Sequence, residues 1–204
     1  RKIISSRLYG GLTEQGFRRS GSHIYKPHCA NCNKCIPIRL NVSSFKANKT
    51  QRRVLKQNSD LECRIEKTEF TNASYTLFEK YIEARHKDGD MYPATEDQFK
   101  SFLLSPWANT RSVNFYLDGD LVSSAVTDIQ LRSISAIYTF FEPDHSDRSL
   151  GTLSILKQIQ LASSKNLKHV YLGYWIRESA KMDYKKNYRP NEQLIDGYWS
   201  QRSE

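Results

Sequence analysis

The sequence predicts an α+β protein, with a small basic, cysteine-containing N-terminal subdomain over residues 1–68 and a mixed domain over 69–204. Three observations carry this. The positive charge is concentrated at the start of the chain; capped helical patterns follow it; then come three strand-like runs, a long helix and one more strand. At 204 residues, with 38% hydrophobic and 12% aromatic side chains, the chain can bury a core without disulfide staples.

The charge comes first in chain order. Residues 1–56 hold 13 Lys and Arg against the single acid Glu14, a local net of +12, whereas the rest of the chain carries −3 of the overall +9. So steep an asymmetry favours a polyanion partner. Nucleic acid stands ahead of membrane, because no amphipathic apolar face accompanies the charge. No apolar run approaches the roughly 18–20 residues of a membrane helix, and no secretory signal precedes the first element. The cysteines fall at 29, 32, 35 and 63, three clustered and one remote, which is not a disulfide framework. A cytoplasmic location is expected. The first residue is Arg1 rather than Met, so a longer parent chain is expected as well.

Asn72 can cap a helix running to about Arg85, with Tyr75, Phe78, Tyr81 and Ile82 on one face. Thr95-Glu96-Asp97-Gln98 is a capping box ahead of Phe99, Phe102 and Leu103. "SVNFYLDGDLVSSAVTDIQ" reads as two strands about Asp118-Gly119, a strong hairpin signal. "SISAIYTFFEP" is a third strand, ended by Pro143. In "SDRSLGTLSILKQIQLASSKN" the apolar residues recur at helical spacing, and "HVYLGYWI" closes as a strand. No internal repeat is visible.

A strand, a Gly-containing loop, a long helix and a second strand resemble the core of the GNAT acyltransferases. Their loop has the form Arg/Gln-x-x-Gly-x-Gly/Ala, and Arg148, Ser149, Leu150 and Gly151 match its first half, with Leu153 at the last small position. Backbone N–H groups at such a helix start face an anion. The plainer alternative is that Gly151 only eases a tight turn.

The blocks "GFRRSGSHIYKPHC…CIPIR", "QRRVLKQN", "RHKDGDMY", "AVTDI", "YTFFEPDHSDRSLGT" and "YLGYWI…KMDYK…YRP" resemble the arginyltransferase family, especially its bacterial aspartate/glutamate leucyltransferase branch. They span nearly the whole chain in the family's order. The resemblance implies transfer of an aminoacyl group from a charged tRNA to an N-terminal Asp or Glu of a protein, which enters an N-degron degradation route. It also implies a GNAT-like fold in which aminoacyl-tRNA replaces acetyl-coenzyme A. Two departures stand out. The family's preceding Cys-x-Tyr segment is absent, and Ser179 stands where members often have Cys, so no essential thiol is expected there.

A tRNA ester is already activated, so such an enzyme mainly needs to align two substrates and stabilise an oxyanion. The candidates for proton transfer or polar roles at the reaction centre are His86, Asp88, Asp128 and Tyr174; helix capping or turn anchoring is the alternative for the first three. An acidic acceptor calls for a planar cationic fork, with Arg39 first, then Arg18, Arg19 and Lys26. Lys181, Tyr184 and Arg189 join Arg148, Ser149, Leu150 and Gly151 as substrate-binding candidates from matching blocks. A leucyl donor needs an apolar pocket and an arginyl donor a buried carboxylate; the bacterial-type Cys-x-x-Cys-x-x-Cys favours leucine. No cofactor is required. Cys29, Cys32 and Cys35 have the spacing for a structural zinc or iron–sulfur site, with Cys63, His28 or a cysteine of the family's preceding segment as candidates for a fourth ligand. Small buried thiols beneath a basic face are the alternative. An acetyl-coenzyme A N-acetyltransferase and a non-catalytic RNA-binding module are the rival classes.

Overall fold

The computed structural model describes residues 4–201. Its elements in chain order are α1 (Ser6–Glu14), β1 (Arg18–Ser20), β2 (His23–Tyr25), β3 (Ile36–Asn41), α2 (Lys49–Gln57), β4 (Glu62–Lys67), α3 (Asn72–Arg85), α4 (Glu96–Leu103), β5 (Thr110–Leu117), β6 (Asp120–Ile129), β7 (Ser133–Phe141), α5 (Leu150–Ser164), β8 (His169–Trp175), β9 (Asn191–Ile195) and β10 (Tyr198–Gln201). Every element expected between residues 72 and 175 forms. Asp118 and Gly119 both take positive φ, 51° and 94°, as the hairpin between β5 and β6 requires. Thr71, rather than Asn72, caps α3, its hydroxyl accepting from the Ser74 N–H.

Eight strands form one sheet in the order β10-β9-β3-β8-β7-β6-β5-β4. All neighbours are antiparallel except β7 and β8. One face is covered by α2 and α5, with Ile38, Leu40, Val113, Phe115, Leu153 and Leu156 in the core. The other face meets α3 and α4 through Leu77, Phe78, Ile82, Phe99, Leu103 and Phe140. β7 and β8 are bridged by α5, so the sheet is mixed and the fold is α+β.

The sheet runs through the boundary expected at residue 68. The strand β3 lies between β8 and β9, and β4 forms the far edge beside β5. "CIPIRL" reads as part of a basic surface, yet Ile38 and Leu40 are fully buried and hold β3 in the sheet's interior. Only β1 and β2 form a separate two-stranded ribbon.

A buried polar knot ties the N-terminal segment to this sheet. Asp128 on β6 accepts from Arg19 Nε at 2.5 Å and from a second guanidinium nitrogen at 2.7 Å. It also accepts from the Tyr9 hydroxyl at 2.7 Å and the Thr110 hydroxyl at 2.8 Å. Neither side chain of the Arg19–Asp128 pair has any exposed surface. Asp128 is therefore a structural anchor, not the proton acceptor expected from sequence, and Arg19 is not a substrate reader. Asp128→Ala, which strands a buried guanidinium, is expected to cost about 3–5 kcal/mol of stability in urea unfolding; a loss below about 1 kcal/mol would contradict this.

Candidate active site

The strands β7 and β8 pair only at Ser133, Ile134 and Ser135, opposite His169, Val170 and Tyr171. Beyond Ser135 and Tyr171 no pairing joins them, so β7 runs on to Phe141 and β8 to Trp175 with a fork between them. Backbone groups freed this way need other partners. Arg18 supplies one: it donates to Ser135 Oγ at 2.7 Å and to the Ala136 carbonyl. Gly173, at φ 82°, lies on the other arm, where an added Cβ would stand 3.5 Å from the Arg18 guanidinium.

Lys185 reaches the same fork from a short helical turn, Asp183–Asn187. It is 9% exposed, and its Nζ donates to the Tyr174 carbonyl at 2.5 Å. Among the described residues it has no carboxylate partner. Burial, reinforced by the nearby Arg18 charge, brings its pKa from 10.5 to about 7. The Tyr174 hydroxyl donates to the Gly16 carbonyl at 2.8 Å, and burial pushes that phenol up. Tyr174 thus shapes the fork and does not serve as an acid near neutrality.

The mouth is lined by Tyr184, whose ring lies 5.9 Å from Lys185 Nζ, and by the buried phenol of Tyr81. His86 packs 5.5 Å from the Tyr81 ring, centroid to centroid, and its pKa is lowered by burial and then by Lys181. Lys181 donates to both carboxylate oxygens of Asp88 at 2.8 Å. His86 and Asp88 therefore sit at the rim, with His86 as the C-cap of α3.

The start of α5 packs against the end of β7, where Gly151 meets Phe141. Ser149 takes the left-handed conformation, φ 53°, and makes no side-chain cap. Thr152 and Leu153 N–H groups both return to the Ser149 carbonyl, at 2.9 and 3.1 Å. Leu150 and Gly151 hold the first N–H groups of a 15-residue helix, the usual seat of an anion. The tight-turn conformation belongs to Ser149, so the turn-easing reading of Gly151 does not hold. A Cβ at Gly151 would meet the Phe141 ring at 3.4 Å. Arg148 grips Asp60 with both nitrogens, at 3.0 and 2.9 Å, and holds that carboxyl below its usual range. It braces the loop rather than offering its fork to a ligand.

Other expected readers are satisfied within the chain. Arg39 is 7% exposed, ion-paired to Glu192 at 2.5 Å and Glu14 at 3.8 Å, and stacked 4.2 Å from the Trp199 ring. Its fork has no room for an acceptor carboxylate. Lys26 donates to the Gln15 carbonyl at the surface, and Arg189 to the Lys186 carbonyl. Cys29 and Cys32 are exposed, in a turn closed by the Cys32 N–H on the Cys29 carbonyl, and Cys35 is partly buried. Burial raises the Cys35 thiol, then Cys32 and Cys29 add to it. Cys63 is on β4, with four strands between it and β3, and His28 is exposed. No group of three or more His, Cys, Asp or Glu among the described residues is arranged to hold a metal ion. Exposure removes the buried-thiol alternative for Cys29 and Cys32. Two cavities of about 350 and 500 Å³ open beside β4 and β5, away from the fork.

Family models described as Arginine-tRNA-protein transferase, N terminus and C terminus, match residues 1–53 and 73–195. The chain belongs to this family. An aspartate/glutamate leucyltransferase of Marinobacter nauticus is 48% identical, covering all of this chain and 86% of that protein. The protein of the same name from Alcanivorax borkumensis is 46% identical over 98% of this chain and 83% of its own length. In fold alone, L-PGS from Bacillus licheniformis superposes with a TM-score of 0.55 at 10% identity, covering 87% of this chain and 52% of that one. A conserved Bacteroides thetaiotaomicron protein of unknown function gives 0.53 at 11% identity, over 92% and 64%.

Within this transferase, Lys185 is the residue sequence reasoning passed over. It ends the "KMDYK" block that supplied Lys181 and Tyr184, and only its burial distinguishes it from Lys186, which pairs with Asp183 at the surface. Between pH of about 7 and 10.5 the unfolded chain holds a proton that folded Lys185 has released, so this group makes stability rise with pH across that window. Wild type should gain stability over Lys185→Met as pH rises from about 6 to about 10 in urea titrations. A difference that stays flat would mean Lys185 keeps its ordinary pKa.

Proposed function

We propose that this transferase moves leucine from leucyl-tRNA to the N-terminal Asp or Glu of proteins. The modified chains would then enter N-degron degradation in the cytoplasm. The observation that carries the reading is a lysine buried at the fork of β7 and β8 with no carboxylate partner among the described residues, in a sheet whose strand β7 leads on to the start of α5.

The donor's terminal adenosine and its phosphate sit against the Leu150 and Gly151 N–H groups. Lys49, Arg52, Arg53 and Lys56 on α2 are exposed, and α2 is tied to the donor loop where Asn58 donates to the Arg148 carbonyl at 2.9 Å. The basic first quarter of the chain thus extends the donor site along the tRNA backbone. No helix among the described residues is long and apolar enough to cross a membrane.

The acceptor's α-ammonium, with an ordinary pKa near 7.7–8.0, must lose a proton before it attacks. Neutral Lys185 accepts that proton and releases it to solvent; the amine nitrogen then bonds to the ester carbonyl carbon, and Lys185 takes the second proton from that nitrogen in the tetrahedral intermediate. As the tetrahedral intermediate collapses, the carbon–oxygen bond to the ribose breaks, and the ribose oxygen takes a proton back from Lys185. The Arg18 guanidinium places positive charge beside the developing oxyanion. Arg18 and Lys185 meet no carboxylate among the described residues at the fork, which disfavours an arginyl side chain and suits a leucyl one.

Labelled leucyl-tRNA and arginyl-tRNA are to be offered with peptides beginning Asp, Glu, Ala or Lys. Leucine should pass to the Asp and Glu peptides, and Lys185→Met should lower kcat by about 10²–10⁴ with little change in tRNA affinity. Arginine transfer, or full activity in Lys185→Met, would overturn the assignment.

A further inference from the structure

A site that selects acidic N-termini needs a cation whose present partner can be displaced. Most cations around the fork fail that test. Arg19 is locked to buried Asp128, Arg39 to Glu192, and Arg148 to Asp60 in bidentate fashion. Arg18 bonds to β7, and Lys185 is buried without an acid.

Lys181 differs. It lies four residues before Lys185, in the segment leaving β8, and its side chain is 57% exposed. Its partner Asp88 is 73% exposed, in the turn after α3, and both carboxylate oxygens lie 2.8 Å from the Lys181 ammonium. Lys181 holds Asp88 below the usual carboxylate range, so Asp88 is ionised at neutral pH. An exposed ion pair is screened by water and holds weakly, so its exchange for another carboxylate costs little. His86 and Tyr81 connect this rim to Tyr184 and the fork.

We infer that Lys181 reads the side-chain carboxylate of the acceptor's first residue, with Asp88 holding its ammonium as an internal stand-in until the acceptor arrives. This rests on the leucyl-transfer reading. A flexible ammonium arm also accounts for acceptance of both Asp and Glu, whose carboxylates differ in reach by one methylene, better than a rigid guanidinium fork would.

The test compares peptides beginning Asp, Glu, Asn and Ala at saturating leucyl-tRNA. Lys181→Ala should raise KM for the Asp and Glu peptides about tenfold or more and bring them level with the poorly used Asn and Ala peptides. Asp88→Asn should lower KM for the acidic peptides, because the competing carboxylate is gone. Lys181→Glu should shift preference toward a peptide beginning with Lys. If Asp88→Asn raises KM as Lys181→Ala does, or if Lys181→Ala weakens Asp and Asn peptides alike, the pair is a structural brace and the inference fails. Equilibrium binding of the same peptides without tRNA should give the same ordering, which separates failed acceptor reading from failed leucyl transfer.

Discussion

The parting of β7 and β8 is the constraint on which the rest of the molecule depends. Two parallel strands that pair over three residues and then separate leave backbone groups and a gap inside the sheet. Arg18 fills part of that gap through Ser135 Oγ and the Ala136 carbonyl, and Gly173 makes room for it on β8. Arg18 is held there by the next residue, since Arg19 is buried against Asp128. The N-terminal segment is thus a working part of the fold, with one arginine anchoring it and its neighbour forming the floor of the fork.

The same geometry sorts the cations by role. Those that meet a carboxylate inside the protein, Arg19 and Arg39, hold elements together. Those on α2 face outward and suit phosphates. Lys185 is buried and meets no acid among the described residues, so its pKa is lowered to about 7 and it can exchange a proton near neutral pH. Its closeness to Arg18 sharpens this effect, because a fixed charge beside a buried lysine disfavours a second one. The sparse charge of the fork and its dense charge at the rim are two consequences of one arrangement.

Much of the fold was legible. A helical apolar face, one capping box, the Asp118-Gly119 turn and strand-like apolar runs mark α3, α4 and β5 through β8 because they are local signals. The short strands β1, β2, β9 and β10, and the insertion of β3 beside β8, are set by long-range pairing that no local pattern announces. The site was legible by block but not by role. Arg39 and Asp128 look like reader and base because sequence shows charge without partners. Glu192 lies 153 positions from Arg39 and Arg19 lies 109 from Asp128, so their neutralisation appears only when the chain is folded. Lys185 fails in the opposite sense, since among Lys181, Lys185 and Lys186 nothing local marks the buried one.

The most direct measurement is a crystal structure of the protein with a non-hydrolysable leucyl-adenosine, the ester oxygen replaced by an amide nitrogen. The leucyl carbonyl should lie between β7 and β8 beside Lys185, with the adenosine toward Leu150 and Gly151 at the start of α5. Occupancy of the cavity lined by Glu66, Asn114 and Tyr116 instead, with the fork empty, would contradict the account.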